Sequence, residues 1–242
     1  MSRKRADVVL VERGFFTSRA RAQEAIAAGL VTVNGAALRK ASDAVPDDAV
    51  IAAEAPHPYV SRGGVKLAAA LDAFHIDPEG CICLDIGAST GGFTEVLLNR
   101  RAARVYAVDV GHGQLHPKVA NDARVTSLEG TDARRLSPAL IPDQADLLVA
   151  DVSFISLKLV LPAAVALLKP RAALAVLVKP QFEAGRDHVK KGIVRDEAVH
   201  RAVCEDMSVF VSSLGFDPLG LIPSPIAGGD GNREFLLGAR RG

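Results

Sequence analysis

The sequence predicts an α/β protein: a mostly parallel sheet of seven strands with helices on both faces and an antiparallel last strand, preceded by a small α+β module. Three observations carry this prediction. From Cys81 onward, short apolar runs alternate with helical patterns, the pattern of a parallel sheet covered on both sides. The run from Leu84 to Thr94 passes from an apolar strand through small residues into a helix. The first 45 residues hold eight Lys/Arg against four Asp/Glu, whereas the remainder holds 21 against 24. A basic segment on a slightly acidic body suits a module that meets a polyanion.

Residues 1–55 read as that module. Ala6, Val9 and Leu10 lie at helical spacing within Arg5 to Arg13, and Gly14 stops the helix. Thr17 or Ser18 caps a second helix that runs to Leu30 with small apolar residues inward and with Arg19 and Arg21 at its exposed start. Val31-Thr32-Val33 alternates as a strand, Asn34-Gly35 is a hairpin-turn dipeptide, Ala36 to Lys40 returns, and Val50-Ile51-Ala52 offers a third strand. Residues 56–63 read as a linker stiffened by Pro56 and Pro58. A helix follows to about Phe74, with Leu67, Ala70, Leu71 and Phe74 on its apolar face. Lys66 lies in its first turn, where the helix dipole disfavours a cation.

Strands are expected at 81–86, 104–109, 125–128, 146–151, 172–179, 216–223 and 234–240, and helices at 92–100, 157–168 and 196–214. The last two strands have no long helix between them and form an antiparallel pair at the sheet edge. Seven strands with that tail suggest a Rossmann-like methyltransferase sheet. The turn Gly87-Ala88-Ser89-Thr90-Gly91-Gly92-Phe93 after Asp85 makes a cofactor shelf at a helix N-terminus. It lacks the second glycine that a pyrophosphate needs, so it suits a cofactor with a zwitterionic end, such as S-adenosylmethionine. Asp109, at the end of the next strand and about 20 residues on, is placed to hold ribose hydroxyls.

Three more strand ends reach the same edge, because ligands of open α/β sheets collect at the carboxyl ends of parallel strands. Asp151 follows a buried apolar strand, Lys179 occupies the same location on the next one, and Glu234 begins the antiparallel last strand. With Lys66 they make a Lys-Asp-Lys-Glu quartet. His112 and His116 are four apart, but Gly111, Gly113 and Pro117 break any helix there and no third ligand is evident, so no metal is expected. Gly111 to Gln114 is expected to line the cofactor pocket instead. Gly185 to Gly192 is a basic loop that could touch RNA or merely be solvated.

Two resemblances follow from these motifs. Ser18-Arg19-x-Arg21-Ala22, Ile26, Gly29 and Val31-x-Val33-Asn34-Gly35 resemble the S-four-like RNA-binding domain. It implies arginines on phosphates, with Arg3, Arg5, Arg19, Arg21 and Arg62 the expected contacts and an affinity that falls with salt. The segments 61–67, 85–94, 151–156, 178–183 and 231–235, taken in order with that module, resemble the TlyA family, also called hemolysin A. These are ribosomal RNA 2′-O-methyltransferases with an FtsJ-like catalytic domain, here 64–242.

The resemblance implies a catalytic tetrad of Lys66, Asp151, Lys179 and Glu234. It implies cofactor contacts at Asp85, Gly87, Ala88, Ser89, Thr90, Gly91, Gly92, Phe93, Asp109, Asp132 and Asp151. Asp132 would read the adenine. The substrate implied is a cytidine of 16S or 23S RNA in a ribosomal subunit. A lysine beside another lysine can serve as a base, which makes Lys179 the expected proton acceptor. Lys66 would contact the target, Asp151 would orient Lys179, and Glu234 would hold the lysines.

Composition bears on the alternatives. Three cysteines are too few and too unevenly spaced for a disulfide framework, which points to a reducing, cytoplasmic setting. The most apolar stretch, Leu159 to Val178, is cut by Lys169-Pro170-Arg171 and reads as a helix, a turn and a strand, so no stable membrane association is expected. A membrane-lytic protein and a ribosome-assembly factor that binds RNA without catalysis are the rival readings. Neither the modified nucleotide nor the oligomeric state is legible.

Overall fold

The computed structural model describes residues 3–228 and 231–242, apart from the Arg3 side chain, so the expected Arg3–phosphate contact lies outside the described residues. The chain divides into two compact units, Met1–Pro58 and Tyr59–Gly242.

In the first unit, β1 (Arg3–Arg5) leads into α1 (Ala6–Glu12), α2 (Arg19–Ala27), β2 (Val31–Val33), β3 (Ala36–Ala37), β4 (Ala44–Pro46) and β5 (Ile51–Ala53). Ser18 caps α2 by accepting from the Arg21 amide at 3.3 Å. Asn34 and Gly35 both take positive φ, the geometry of a two-residue hairpin. β2 lies between β3 and β5, all antiparallel. Val9, Leu10, Phe16, Ile26 and Val31 fill the core, and each large side chain so buried contributes about 1.5–3 kcal/mol. Two strands go beyond the sequence reading. Arg5, expected to start the first helix, ends β1, which pairs antiparallel with β4. Elements of three residues are too short to show an alternation, so only pairing reveals them. The hairpin return is likewise shorter than Ala36 to Lys40.

The second unit runs α3 (Gly63–Ala73), β6 (Ile82–Ile86), α4 (Gly92–Asn99), β7 (Arg104–Asp109), α5 (Pro117–Ala120), β8 (Val125–Glu129), β9 (Ala145–Ala150), α6 (Leu157–Val165), β10 (Leu168–Val178), α7 (Pro180–Glu183), α8 (Glu197–Ser213), β11 (Asp217–Pro223) and β12 (Phe235–Arg241). Its seven strands order as β11-β12-β10-β9-β6-β7-β8. β6 to β10 are parallel, and β12 is antiparallel to both neighbours. This is the expected sheet with its antiparallel last strand. Successive side chains alternate between two cores. Cys83, Val105, Leu147 and Leu177 face α3 and α4. Leu84, Tyr106, Leu148 and Val176 face α6 and α8.

Two details differ from expectation. Cys81 precedes β6 and is half buried, so only Cys83 packs fully. Lys169-Pro170-Arg171 is not a turn but part of β10, with a register shift between Leu168 and Ala173. The Arg241 guanidinium supplies the donors for the carbonyls of Leu168, Lys169 and Pro170 that the irregular ladder leaves over.

Candidate active site

The glycine turn is built against its neighbours. The amides of Gly87 and Ala88 donate to the Val108 carbonyl at the end of β7, and the Asp151 amide donates to the Ile86 carbonyl. Gly87 has φ +81°, and a Cβ there would collide with the Asp151 carbonyl. Only glycine lets β6 turn so close to the end of β9. Gly91, at φ +91°, then admits the chain to α4.

Asp109 spans the mouth of this turn, accepting from the Ser89 amide at 2.8 Å and the Gly111 amide at 2.7 Å. A cavity of about 350 Å³ opens here, lined by Gly87, Ser89, Asp109, Asp132 and Asp151 of the expected residues, and by Gln114, Thr131, Ser153 and Phe154 besides. Gln114 comes from the loop read as pocket-lining. That loop is held by Glu129, whose carboxylate accepts from the amides of Gln114 (2.7 Å) and Leu115 (3.2 Å). These bonds hold the Glu129 carboxyl below its usual range. Nothing in the sequence singled out Glu129, an acid at a strand end like many others.

The remaining turn residues serve the shelf from behind. Asp85 does not line the cavity. Its carboxylate is fully buried and accepts from Thr94 Oγ1 at 2.6 Å. Its Oδ1 has no hydrogen-bond partner among the described residues. Burial pushes its carboxyl up to about 7, with the charge of Asp151 adding to the effect. Ala88, Gly92 and Phe93 are buried, and a Cβ at Gly92 would strike Ser61 Oγ. Thr90 is exposed, its carbonyl accepting from the His116 amide. Asp132 caps the 3-10 turn Ala133–Arg135, and the Arg134 guanidinium holds its carboxyl down to about 2.

The four quartet residues meet at one rim. Lys66 on α3 and Glu234 are both buried, with Nζ and Oε2 2.5 Å apart. Lys179 Nζ lies 2.6 Å from Asp151 Oδ1 and donates to Ser153 Oγ at 2.8 Å. Sheet register joins the two pairs. Val178 stands opposite Phe235, so Lys179 and Glu234, one residue further on each strand, emerge side by side. Val176 stands opposite Ala150, which brings Asp151 to the same edge.

Two aromatic rings lie beside them. Phe182 has its ring centre 6.0 Å from Lys179 Nζ and 5.2 Å from the ring of Phe154. Phe154 is 91% exposed and sits at φ +65°, an unusual backbone for a large residue. A single phenylalanine in an apolar stretch carries no such signal in sequence.

Of the basic residues read as phosphate contacts, Arg5 and Arg19 both bind the fully buried Asp7, at 3.0 and 2.9 Å. Gln23 adds a bond to the same carboxylate at 2.7 Å. Arg5 above all, then Gln23 and Arg19, hold the Asp7 carboxyl well below the usual range. Arg21 donates to the His57 carbonyl. Arg62 is exposed at the start of α3. His116 caps α5 through Nδ1, while His112 packs over Gly130. Among the described residues no group of three or more His, Cys, Asp or Glu could hold a metal ion, and no helix is long and apolar enough to cross a membrane.

Comparison with known proteins shows the family of the chain. A model of the FtsJ-like methyltransferase family matches residues 59–241, and one of the S4 domain matches residues 4–51. The chain is 45% identical over 241 residues to the 16S/23S rRNA (cytidine-2′-O)-methyltransferase TlyA of Mycobacterium tuberculosis, covering 98% of this chain and 90% of that one. It is 40% identical to Hemolysin A of Brachyspira hyodysenteriae over 96% of this chain and 98% of that one. A solved Streptococcus thermophilus structure carrying the hemolysin name is 42% identical, covers 100% of this chain and 89% of its own, and superposes with a TM-score of 0.79.

The site also fits the cofactor of that family. Asp109 keeps lone pairs free beyond its two amide bonds and faces the same cavity as Gly87, Ser89 and Asp151, a set of polar groups suited to a ribose and a zwitterionic end. The chain therefore belongs to the FtsJ-like methyltransferases, enzymes with S-adenosylmethionine as cofactor, and carries an S4 domain ahead of the catalytic fold.

Proposed function

We propose that this chain methylates the 2′-hydroxyl of a cytidine ribose in ribosomal RNA, with Lys66, Asp151, Lys179 and Glu234 as its catalytic group. The observation that carries this reading is the pairing of Lys66 on α3 with Glu234 and of Lys179 with Asp151, the last three at neighbouring strand ends and Asp151 lining the cavity. The name of the M. tuberculosis relative supports the substrate class.

When bound, S-adenosylmethionine supplies a methyl group already activated by its sulfonium. Gly87, Ser89 and Asp109 hold it, with Asp132 across the cavity and Asp85 setting the turn from below. Lys179 takes the hydroxyl proton, and Asp151 holds its amine in place. Lys66 meets the target phosphate or hydroxyl, and Glu234 keeps Lys66 from swinging away. No large anion needs stabilising, so alignment carries much of the rate, and oriented attack supplies on the order of 7–11 kcal/mol. Phe154 and Phe182 offer a face for a base turned out of its stack.

In the same reading residues 1–55 grip structured RNA through Arg5, Arg19 and Arg21, residues 56–63 link, and residues 64–242 catalyse, in the cytoplasm where ribosomal subunits are found. The test is transfer of labelled methyl from the cofactor to isolated ribosomal subunits, followed by mapping of the modified ribose. Lys179→Ala should abolish transfer and leave cofactor affinity unchanged. Retained transfer would overturn the assignment of Lys179, and label on a base or a protein would overturn the reaction.

A further inference from the structure

We infer that Ser153 is a positioning residue that aims the Lys179 amine at the substrate hydroxyl. This rests on the reading of Lys179 as proton acceptor. An uncharged lysine nitrogen has two N–H bonds and one lone pair, in three directions set by its tetrahedral geometry. Asp151 Oδ1 lies 2.6 Å from Nζ, and Ser153 Oγ accepts from it at 2.8 Å. Of the two contacts only that to Ser153 is a directed hydrogen bond, since Asp151 Oδ1 has no hydrogen-bond partner among the described residues and holds the nitrogen by proximity and charge. With Ser153 present one N–H bond is fixed and the lone pair is confined to the two remaining directions; without it the amine can turn among all three.

The serine is well placed for this task because its loop is pinned on both sides. Val152 before it is buried, and Phe154 after it turns the chain sharply at φ +65°. Ser156 Oγ donates to Glu183 at 2.5 Å, and the Leu157 amide donates to the same carboxylate at 2.8 Å. Glu183 stands at the end of α7, the turn that begins right after Lys179. One carboxylate thus ties the loop of Ser153 to the loop of Lys179, and the distance between hydroxyl and amine is set by the fold. Ser153 itself is exposed, so its bond to Lys179 is not a by-product of core packing.

In the proton step the substrate O–H bond breaks, and its electron pair stays on oxygen. The proton joins the Lys179 lone pair. The ammonium then donates one N–H to Ser153 and one to the product oxygen, with the Asp151 carboxylate beside its charge.

The experiment compares the native chain, Ser153→Ala, Ser153→Thr and Lys179→Ala on isolated ribosomal subunits, in light and heavy water. Ser153→Ala should lose about tenfold in kcat, the effect of one well-made hydrogen bond. Its KM for subunits and its melting temperature should match the native chain. Its solvent isotope effect should rise, because a misaimed proton transfer becomes rate-limiting. Ser153→Thr, which keeps the hydroxyl, should restore both kcat and the isotope effect. Native kcat in Ser153→Ala overturns the inference. So does a loss shared by KM, a loss with no rise in the isotope effect, or a loss that threonine does not repair. An active Lys179→Ala would instead sink the underlying assignment of the proton acceptor, whatever the serine variants do.

Discussion

Glu234 Oε2 lies 2.5 Å from Lys66 Nζ across 168 residues of chain, and both side chains are buried. A buried pair of this kind is weak evidence of stability, since desolvation offsets much of the attraction. Breaking it is another matter, because the surviving charge keeps its burial and loses its partner. Glu234→Ala should destabilise the catalytic unit by about 3–5 kcal/mol, whereas Lys66→Met combined with Glu234→Leu should recover most of that loss and still be inactive. Denaturant melts beside methyl-transfer assays check both halves. Full stability in Glu234→Ala would show that the pair is held by its surroundings and not by charge.

Gly87 decides whether the cofactor shelf exists. A methyl group there would meet the Asp151 carbonyl, and the backbone sits at φ +81°. Gly87→Ala should weaken S-adenosylmethionine binding strongly, with a loss of about 1–3 kcal/mol in stability from backbone strain. Calorimetry with the cofactor measures the first and thermal unfolding the second. Native affinity would mean that the turn can move away from β9 at little cost.

Asp85 links pH to stability. Its carboxyl is pushed up to about 7 in the fold by burial, while the unfolded chain has it near 4. Between these values the native state holds the proton and the unfolded state does not, so this group makes stability fall as pH rises from about 4 to 7. Asp85→Asn keeps an acceptor for Thr94 and removes that dependence. The cofactor-free variant should gain over the native chain by a few kcal/mol at pH 8 and by much less at pH 5. A gain equal at both pH values would mean that Asp85 is ionised throughout.

Asp7 makes the opposite case in the first unit. Its carboxyl is held low by Arg5, Gln23 and Arg19, so its contribution is complete above the ordinary carboxylate range and fades as pH falls through the lowered native value. Asp7→Asn should cost about 1–3 kcal/mol near neutral pH, read as faster hydrogen exchange in residues 6–27. Arg19→Ala should flatten the salt dependence of RNA binding by about one unit of slope if its guanidinium meets a phosphate. An unchanged slope would assign Arg19 to Asp7 alone.

Much of this protein is legible in one dimension. The alternation from Cys81 onward implied seven strands because the central ones, such as β6 and β9, are buried on both faces and read as apolar runs, with turn residues and helical patterns between them. The glycine turn showed itself because no other residue fits at Gly87 and Gly91. What lay hidden is what depends on pairing or on distance. β1 and β4 are three residues each and exist only because they bond to each other. Lys169 and Pro170 stay in β10 because Arg241, 71 and 72 residues away along the chain, supplies donors for their carbonyls. Asp7, Glu129 and Ser153 look ordinary in sequence, since a polar residue gains its role from the donors and acceptors that folding delivers. The sequence by itself determined which residues could carry the chemistry and which strand ends would present them. Only the tertiary structure decided that, among the described residues, Glu234 pairs with Lys66 alone and that Ser153 accepts from Lys179, because such partners are set by angstroms across the sheet edge and not by spacing along the chain.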